Sequence, residues 1–375
     1  MKHVVLLKSR ANSCGGLEKH ATRITDAFAA RGARVTVLTT GTIDRTGPIA
    51  FHAAKTLSWP GFLRMEQFDL FVRNWLKNNS ADIVFGMDRN RFQTHIRAGN
   101  GVHAAYLESR LLTEGRLKGL LCQLNPLHRK ILALEKCAFE NPELKKIFTN
   151  SQMVKDEILA HYRTDPAKIQ VIHNGVEWHE MEPRFAAWER DRALSLQKFG
   201  LDPNRFHILF IGHGYLRKGL DRLLIALSRL RKRNFSLSVI GKDKQLDLYR
   251  AKVLQLGLKD HVHFFGPSRE VPLFYQLADA LAIPSFYDPF ANVTVEALAM
   301  GLFVISSKHN GGHEILTPEN GAIIEDLLDT DAMISALETA FRHRKTALSA
   351  LSIRQSVQHL DFSNQLRTLI DGAYE

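Results

Sequence analysis

The chain has 375 residues, of which 45% are hydrophobic and 24% charged, with a formal net charge of +11. That length accommodates two domains with full cores, and the composition is that of a soluble globular protein. It excludes a bilayer span, because no segment is apolar and long enough, and three cysteines (Cys14, Cys122, Cys137) have the spacing of neither a disulfide framework nor a zinc site.

In chain order, Val4–Leu7 reads as a short buried strand, too short an apolar run for a secretory signal, so the chain is expected in the cytoplasm. The loop Ser9–Gly16 follows, and Gly15-Gly16 opens a helical pattern with Leu17 and Glu18. Paired glycines let backbone approach a ligand, or make a plain tight turn; the fingerprint Gly-x-Gly-x-x-Gly is absent. Helical patterns at Leu17–Ala30 and Phe62–Leu76 alternate with strands at Val35–Leu38, Ile83–Phe85, Ile147–Phe148 and Ile169–Ile172. Such alternation implies a parallel sheet with helices on both faces. Between them, Arg116–Glu140 places Leu117, Leu120, Leu121, Leu124, Leu127, Ile131 and Leu134 at helical spacing among basic residues, interrupted by Pro126. That pattern fits a helix lying in an anionic lipid interface, and equally a core helix with a solvated face. The join between domains is expected between Gly175 and Arg192, where charge is dense and no strand pattern runs. Beyond it, strands are expected at Ile208–Ile211, Leu237–Ile240, Val262–Phe265, Leu281–Ile283, Phe303–Ile305 and Ala322–Ile324. Helices are expected at Leu220–Leu230, Leu246–Leu256 and Met333–Phe341, with a final helical segment at Asp361–Ile370.

Two loops of the second half carry the chemistry. After Ile208–Ile211 comes Gly212-His213-Gly214-Tyr215-Leu216-Arg217-Lys218-Gly219. It is not a P-loop, since Leu220 stands where Lys-Ser or Lys-Thr is needed. Arg217 and Lys218 supply a planar fork and a point charge, a pair suited to the two phosphates of a nucleoside diphosphate. Cations near a helix N-terminus oppose its dipole, so the pair calls for an anion. Lys242 ends another strand at the same sheet edge and is expected to border the base. After Leu281–Ile283, Asp288 sits in a polar loop, Asn292 opens a short helix, Glu296 lies in its second turn and Gly301 ends it. A helix N-terminus suits phosphate, and flanking carboxylates suit hydroxyl groups; a phosphate flanked by sugars is a sugar nucleotide.

Asp288 to Glu296 resembles the Glu-x7-Glu signature of retaining GT-B glycosyltransferases of family 4, with Asp at the first acid, one methylene shorter. Gly212–Gly219 resembles the same family's Gly-x(n)-Lys-Gly motif, and Gly311-Gly312-His313-Glu314 its Gly-Gly-x-x-Glu in shortened form. Within the family the likeness is to lipopolysaccharide core glucosyltransferases. The resemblance implies an α/β chain of two Rossmann-like domains facing across a cleft. These would be an acceptor-binding domain (1–182), a nucleotide-sugar-binding domain (183–355) and a last helix (356–375) crossing back to the first. It implies transfer of a hexose, glucose from UDP-glucose, with retention and without a metal or cofactor, onto an inner-core heptose of a glycolipid. By resemblance Glu296 holds the ribose hydroxyls and Asp288 faces the donor sugar. Asn292, Val293 and Thr294 reach the diphosphate, as Gly212, Arg217 and Lys218 do. Gly15, Gly16, Glu18, Asn100 and His103 of the first domain face the acceptor and the sugar, His103 near its 6-hydroxyl or as a packing residue. The related enzymes use the region of Arg116–Glu140 to touch the membrane, which places this chain on the cytoplasmic face of the inner membrane. The positive charge fits such an anionic surface or a phosphorylated glycolipid, or only solubilises the chain; no nucleic-acid motif is present. Three rivals remain open: a UDP-sugar 2-epimerase on the same fold, a transferase using another donor such as GDP-mannose, and a non-catalytic relic.

Overall fold

The computed structural model describes residues 1–9, 16–40, 49–57, 59–115, 124–231 and 234–375, with backbone alone at 16–20. The first apolar run is the centre of a parallel sheet. β1 (His3–Lys8) pairs on one side with β2 (Arg34–Thr40) and on the other with β4 (Ile83–Gly86). With β3 (Ala50–Ala54), β5 (His95–Arg97), β6 (Lys146–Thr149) and β7 (Ile169–Val171), the seven strands run in the order β3-β2-β1-β4-β5-β6-β7. Crossover helices α1 (Gly16–Ala30), α2 (Gly61–Asn78), α3 (His103–Glu114), α4 (Pro126–Phe139) and α5 (Gln152–His161) connect them. Phe85 packs edge-to-face against Phe28 at 5.6 Å and stacks on Phe148 at 6.0 Å between ring centroids, a buried aromatic cluster in the core of this sheet.

The second half repeats the plan. β8 (Phe206–Ile211), β9 (Phe235–Ile240), β10 (Val262–Gly266), β11 (Ala280–Ile283), β12 (Phe303–Ser307) and β13 (Gly321–Ile324) form a six-stranded parallel sheet ordered β10-β9-β8-β11-β12-β13. Its four inner strands β9, β8, β11 and β12 are buried almost without interruption, as a sheet covered on both faces requires, while the edge strands β10 and β13 are only partly buried. The helices are α6 (Glu182–Ala186), α7 (Trp188–Lys198), α8 (Leu220–Arg229), α9 (Leu246–Gln255), α10 (Val271–Leu277), α11 (Asn292–Ala299), α12 (Thr330–Arg342), α13 (Ala347–Ser356) and α14 (Phe362–Tyr374). In α8, Leu220, Leu223, Leu224 and Leu227 are fully buried at the i, i+3, i+4, i+7 spacing of a core-facing helix.

The chain divides into two compact units, residues 1–172 with 365–375, and residues 173–364. The first break therefore comes ten residues before the expected 182/183 boundary. Val176 bridges Asp361, and Trp178 Nε1 donates to the Arg354 carbonyl at 3.2 Å, so the segment after β7 already belongs to the second unit. The charged stretch read as a join contains α6 and the start of α7, and α7 packs on α10. Arg354, 1% exposed, fixes this region: its guanidinium lies over Trp178 at 4.1 Å and donates to Glu182 Oε2 at 2.7 Å. The return to the first unit falls at Gln365 rather than 356, because Leu360 packs into the second core while Leu369 and Ile370 pack into the first.

Of the expected basic amphipathic segment, residues 116–123 lie outside the described residues. The rest is α4, whose Leu134, Glu135, Ala138 and Phe139 are buried, so this part is a packed helix. Lys130 pairs with Glu66 of α2, and Asn125 caps the helix by accepting from the Leu127 N–H.

Among the described residues, three histidines are buried as neutral rings. Burial pushes His95 and His207 down to about 4 and His103 to about 3. His207 Nε2–H donates to the Asp202 carbonyl at 2.9 Å, which leaves its buried Nδ1 without a partner. Each folded-state value lies below the ordinary 6.5, so stability is full above that pH and falls as pH drops from it toward the folded pKa. Each unit of difference is worth about 1.4 kcal/mol. The urea midpoint is expected to fall between pH 7 and pH 5, and His207→Gln to reduce that fall; a midpoint equal at both pH values would refute the assignment.

Candidate active site

In the second sheet β8 and β11 are neighbours although the chain passes through β9 and β10 between them. The strand order reverses there, and the crevice beyond the carboxyl ends at such a point is where open α/β sheets bind ligands. Lys218 follows β8, Asp288 follows β11 and Asn310 follows β12, so three loops converge on that edge.

The loop after β8 is shaped by glycine. Gly219 caps α8 with φ +78, and a Cβ there would lie 1.8 Å from the Pro284 carbonyl oxygen. At Gly212 a Cβ would meet Lys218 Cγ at 3.0 Å, so the Lys218 stem runs directly over that backbone. Lys218 Nζ donates to Asp288 Oδ2 at 2.5 Å, and Arg217 Nη1 donates to the Tyr287 carbonyl at 2.7 Å and to Asp288 Oδ2 at 3.3 Å. The sequence pattern called for an anion beside this cation pair, and the chain supplies one itself. Burial would raise the Asp288 pKa, but Lys218 and Arg217 outweigh it and hold the carboxyl below its usual value. Asp288, expected to face the donor sugar, is in direct contact with both cations.

Asn310 organises the adjoining turn. Its Oδ1 accepts from the Ala291 N–H at 2.9 Å and the Gly312 N–H at 3.1 Å, while its Nδ2 donates to Ser306 Oγ at 2.9 Å and Thr294 Oγ1 at 3.3 Å. These bonds tie the start of α11 to the 3₁₀ turn Gly311–Ile315. Gly312 allows that approach, since a Cβ there would lie 2.8 Å from Thr294 Oγ1. Asn292 Oδ1 accepts from Asn174 Nδ2 at 2.7 Å, and Ala291, at the N-cap of α11, carries no capping side chain. Tyr275 Oη donates to Glu296 Oε2 at 2.7 Å; burial, reinforced by the Glu296 charge, raises the phenol well above its usual pKa, so it keeps its proton. Asn310→Ala is expected to cost about 2–4 kcal/mol, since it strands buried donors on two elements. Urea denaturation measures this, and a loss under 1 kcal/mol would contradict the role given to Asn310.

Two family models divide the chain between them: Glycosyltransferase Family 4 over residues 14–179 and Glycosyl transferases group 1 over residues 191–350. The chain belongs to glycosyltransferase family 4. It is 27% identical to the lipopolysaccharide glucosyltransferase WaaG of Escherichia coli, covering 87% of this chain and 86% of that one. It is 26% identical to an uncharacterised glycosyltransferase of Methanocaldococcus jannaschii, over 82% and 80% of the two chains. Among solved structures, that of WaaG superposes with a TM-score of 0.78 at 23% identity, covering 98% of each chain. Anabaena HepE in complex with UDP-glucose superposes with 0.69 at 16% identity, covering 99% of each. The fold of this glycosyltransferase is accordingly GT-B, with two Rossmann-like units as expected.

The remaining expected residues of the glycosyltransferase fall as follows. Thr294 is fully buried and Val293 half-buried in α11. Lys242 is exposed, and its backbone N–H donates to His213 Nδ1 at 3.0 Å. His213 is exposed, and Glu314 accepts from His173 Nε2 at 2.8 Å. In the first unit, Gly15 lies outside the described residues, Gly16 begins α1, and Glu18 is described by its backbone only. Asn100 is half-buried in the loop before α3. His103 opens α3; its Nε2 bonds His128 Nδ1 at 2.9 Å, and its N–H donates to the buried Glu135 at 2.8 Å. Glu135 also accepts from Arg89 Nε at 2.7 Å and Tyr162 Oη at 2.8 Å. Glu135, Tyr275, Asn174 and Asn310 were not singled out from sequence. Asn-Gly turn signals mark Asn174-Gly175 and Asn310-Gly311, but say nothing of the contacts these residues make.

Proposed function

We propose that this family 4 glycosyltransferase moves a hexose, glucose from UDP-glucose, with retention of configuration, onto an inner-core heptose of lipopolysaccharide or a similar envelope glycolipid. The observation that carries the reading is the convergence of Lys218, Arg217 and the first turn of α11 on one switch-point edge, with Glu296 in the same short helix. The similarity to WaaG over most of both chains supports the choice of sugar and acceptor.

In this reading Arg217, Lys218 and the α11 amides at Asn292 and Val293 bind the diphosphate and neutralise the charge that grows as the glycosidic bond breaks. No metal is required for that step, and the departing phosphate oxygen takes the acceptor proton on the same face. Glu296, steadied by Tyr275, accepts from the ribose hydroxyls. Gly212 keeps the backbone low beneath Lys218, and Lys242 borders the base. From the first unit Gly15 and Gly16 serve the nucleotide sugar, and Glu18 and Asn100 the acceptor. His103, a neutral ring, serves as a hydrogen-bond partner for the sugar and not as an acid. The charge of +11 supports work at an anionic cytoplasmic membrane face.

A thermal-shift series with UDP-, GDP- and ADP-glucose and GDP-mannose tests the donor, because a ligand bound only by the folded state raises stability with its affinity. UDP-glucose is expected to give the largest shift. Incubation with heptose-terminated core glycolipid should then yield an α-linked product by NMR. Epimerised nucleotide sugar formed without acceptor would overturn the reading.

A further inference from the structure

The ion pair between Asp288 and the two cations has a consequence for which diphosphates the site prefers, given the donor reading above. Neither member of the closer pair can swing away freely. The Lys218 side chain is 9% exposed and runs over Gly212; the Asp288 side chain is 11% exposed. The Asp288 backbone is fixed at both ends: its N–H donates to the His309 carbonyl and its carbonyl accepts from the Gly311 N–H, both at 2.9 Å. The Phe286 N–H donates to the Arg217 carbonyl at 2.8 Å, which ties the two loops together. A fixed negative charge therefore sits within direct contact of both cations offered to the phosphates.

Donor and product differ in charge at that point. In a nucleotide sugar the outer phosphate is esterified and carries one negative charge. In the free nucleoside diphosphate left after transfer it is a terminal phosphate, with a second ionisation near pH 6 and so about one further charge at neutral pH. We infer that Asp288 is a specificity-determining residue that makes the cation pair favour the esterified diphosphate of the donor over the free nucleoside diphosphate, and so limits inhibition by product. The carboxylate lowers the pull of Lys218 and Arg217 on any anion, but it penalises the more highly charged one more. A purely structural salt bridge would have no such asymmetry: losing it would weaken both ligands.

Calorimetric titration of UDP, GDP and ADP, and of the glucose ester of whichever binds, tests this on wild type, Asp288→Asn and Asp288→Glu, with melting temperature as the check on folding. For Asp288→Asn the free nucleoside diphosphate is expected to bind about ten-fold tighter, and the ester to tighten by less than about three-fold. Asp288→Glu, which keeps the charge, should retain the wild-type ratio, and it carries the test if the Asn variant does not fold. Unchanged or weaker product binding in Asp288→Asn, equal tightening of both ligands, or a changed ratio in Asp288→Glu would each overturn the inference. Wild-type protein that binds none of the three diphosphates would overturn the donor reading and the inference with it.

Discussion

Lys218→Ala is expected to lower kcat by about 10²- to 10³-fold while changing KM far less, the range seen when one preorganised charge facing a transition state is removed. The argument starts from position. Lys218 is 8% exposed, yet its ammonium lies at the carboxyl edge of the sheet where three loops meet. A charge held in so enclosed a place stabilises a leaving diphosphate more than an exposed one would, because little water screens it. Arg217, whose side chain is 38% exposed, should matter less, and Arg217→Ala is expected to lose fewer decades than Lys218→Ala. Removing Lys218 also strands Asp288 with only the longer Arg217 contact, so its pKa should rise. Steady-state kinetics with the donor found by thermal shift, beside the variant's melting temperature, separate lost chemistry from lost fold. Full turnover with only KM altered would refute the role given to Lys218.

Gly219→Ala is expected to be among the most damaging single methyls in the second unit, beside Gly241, where a Cβ would lie 1.9 Å from the Gly212 carbonyl oxygen. Two independent obstacles coincide there: a φ of +78, and a backbone oxygen, that of Pro284, 1.8 Å from the new carbon. The first alone costs about 1–2 kcal/mol for an L-residue. The second cannot be relieved by a side-chain rotation, so the loop carrying Arg217 and Lys218 must move. A loss of about 3–5 kcal/mol is expected, together with loss of diphosphate binding. Gly214 is the internal control. Its φ is +72, but a Cβ there meets nothing within 4 Å, so Gly214→Ala should show the backbone cost alone. Similar urea midpoints for the two variants would show that the Pro284 approach is not a constraint.

Much of the second unit was legible because its strands are rich in apolar residues, with few polar interruptions. All six expected strands there match observed ones, from β8 through β13, since a sheet covered on both faces needs mostly apolar strands. The first unit was harder. β5 is His95-Ile96-Arg97, three residues buried with two polar side chains, and β3 is an edge strand with mixed burial; neither has a period to detect. α7 was missed for a different cause. Its sequence is charged on most faces and only Trp188, Ser195 and Leu196 are buried, so composition suggested a linker where packing on α10 makes a helix. At the site, the motif residues could be named but not their mutual contacts. The spacing of Lys218 and Asp288, seventy residues apart in sequence, says nothing about a 2.5 Å bond between them. Asn310 and Tyr275 were invisible for the same reason: each acts by reaching across to another element, and local pattern carries no trace of that.

The division of the first unit into residues 1–172 and 365–375 also bears on the order in which a ribosome delivers the parts. The leading segment emerges early but lacks Leu369, Ile370 and Ala373, which complete the packing around Phe28, Phe85 and Phe148. The trailing unit, encoded without interruption over 173–364, has every residue it needs before those arrive. The part synthesised first is therefore the last to receive its full set of residues. The nascent front portion waits with an incompletely covered apolar face, the kind of surface that engages chaperones during translation.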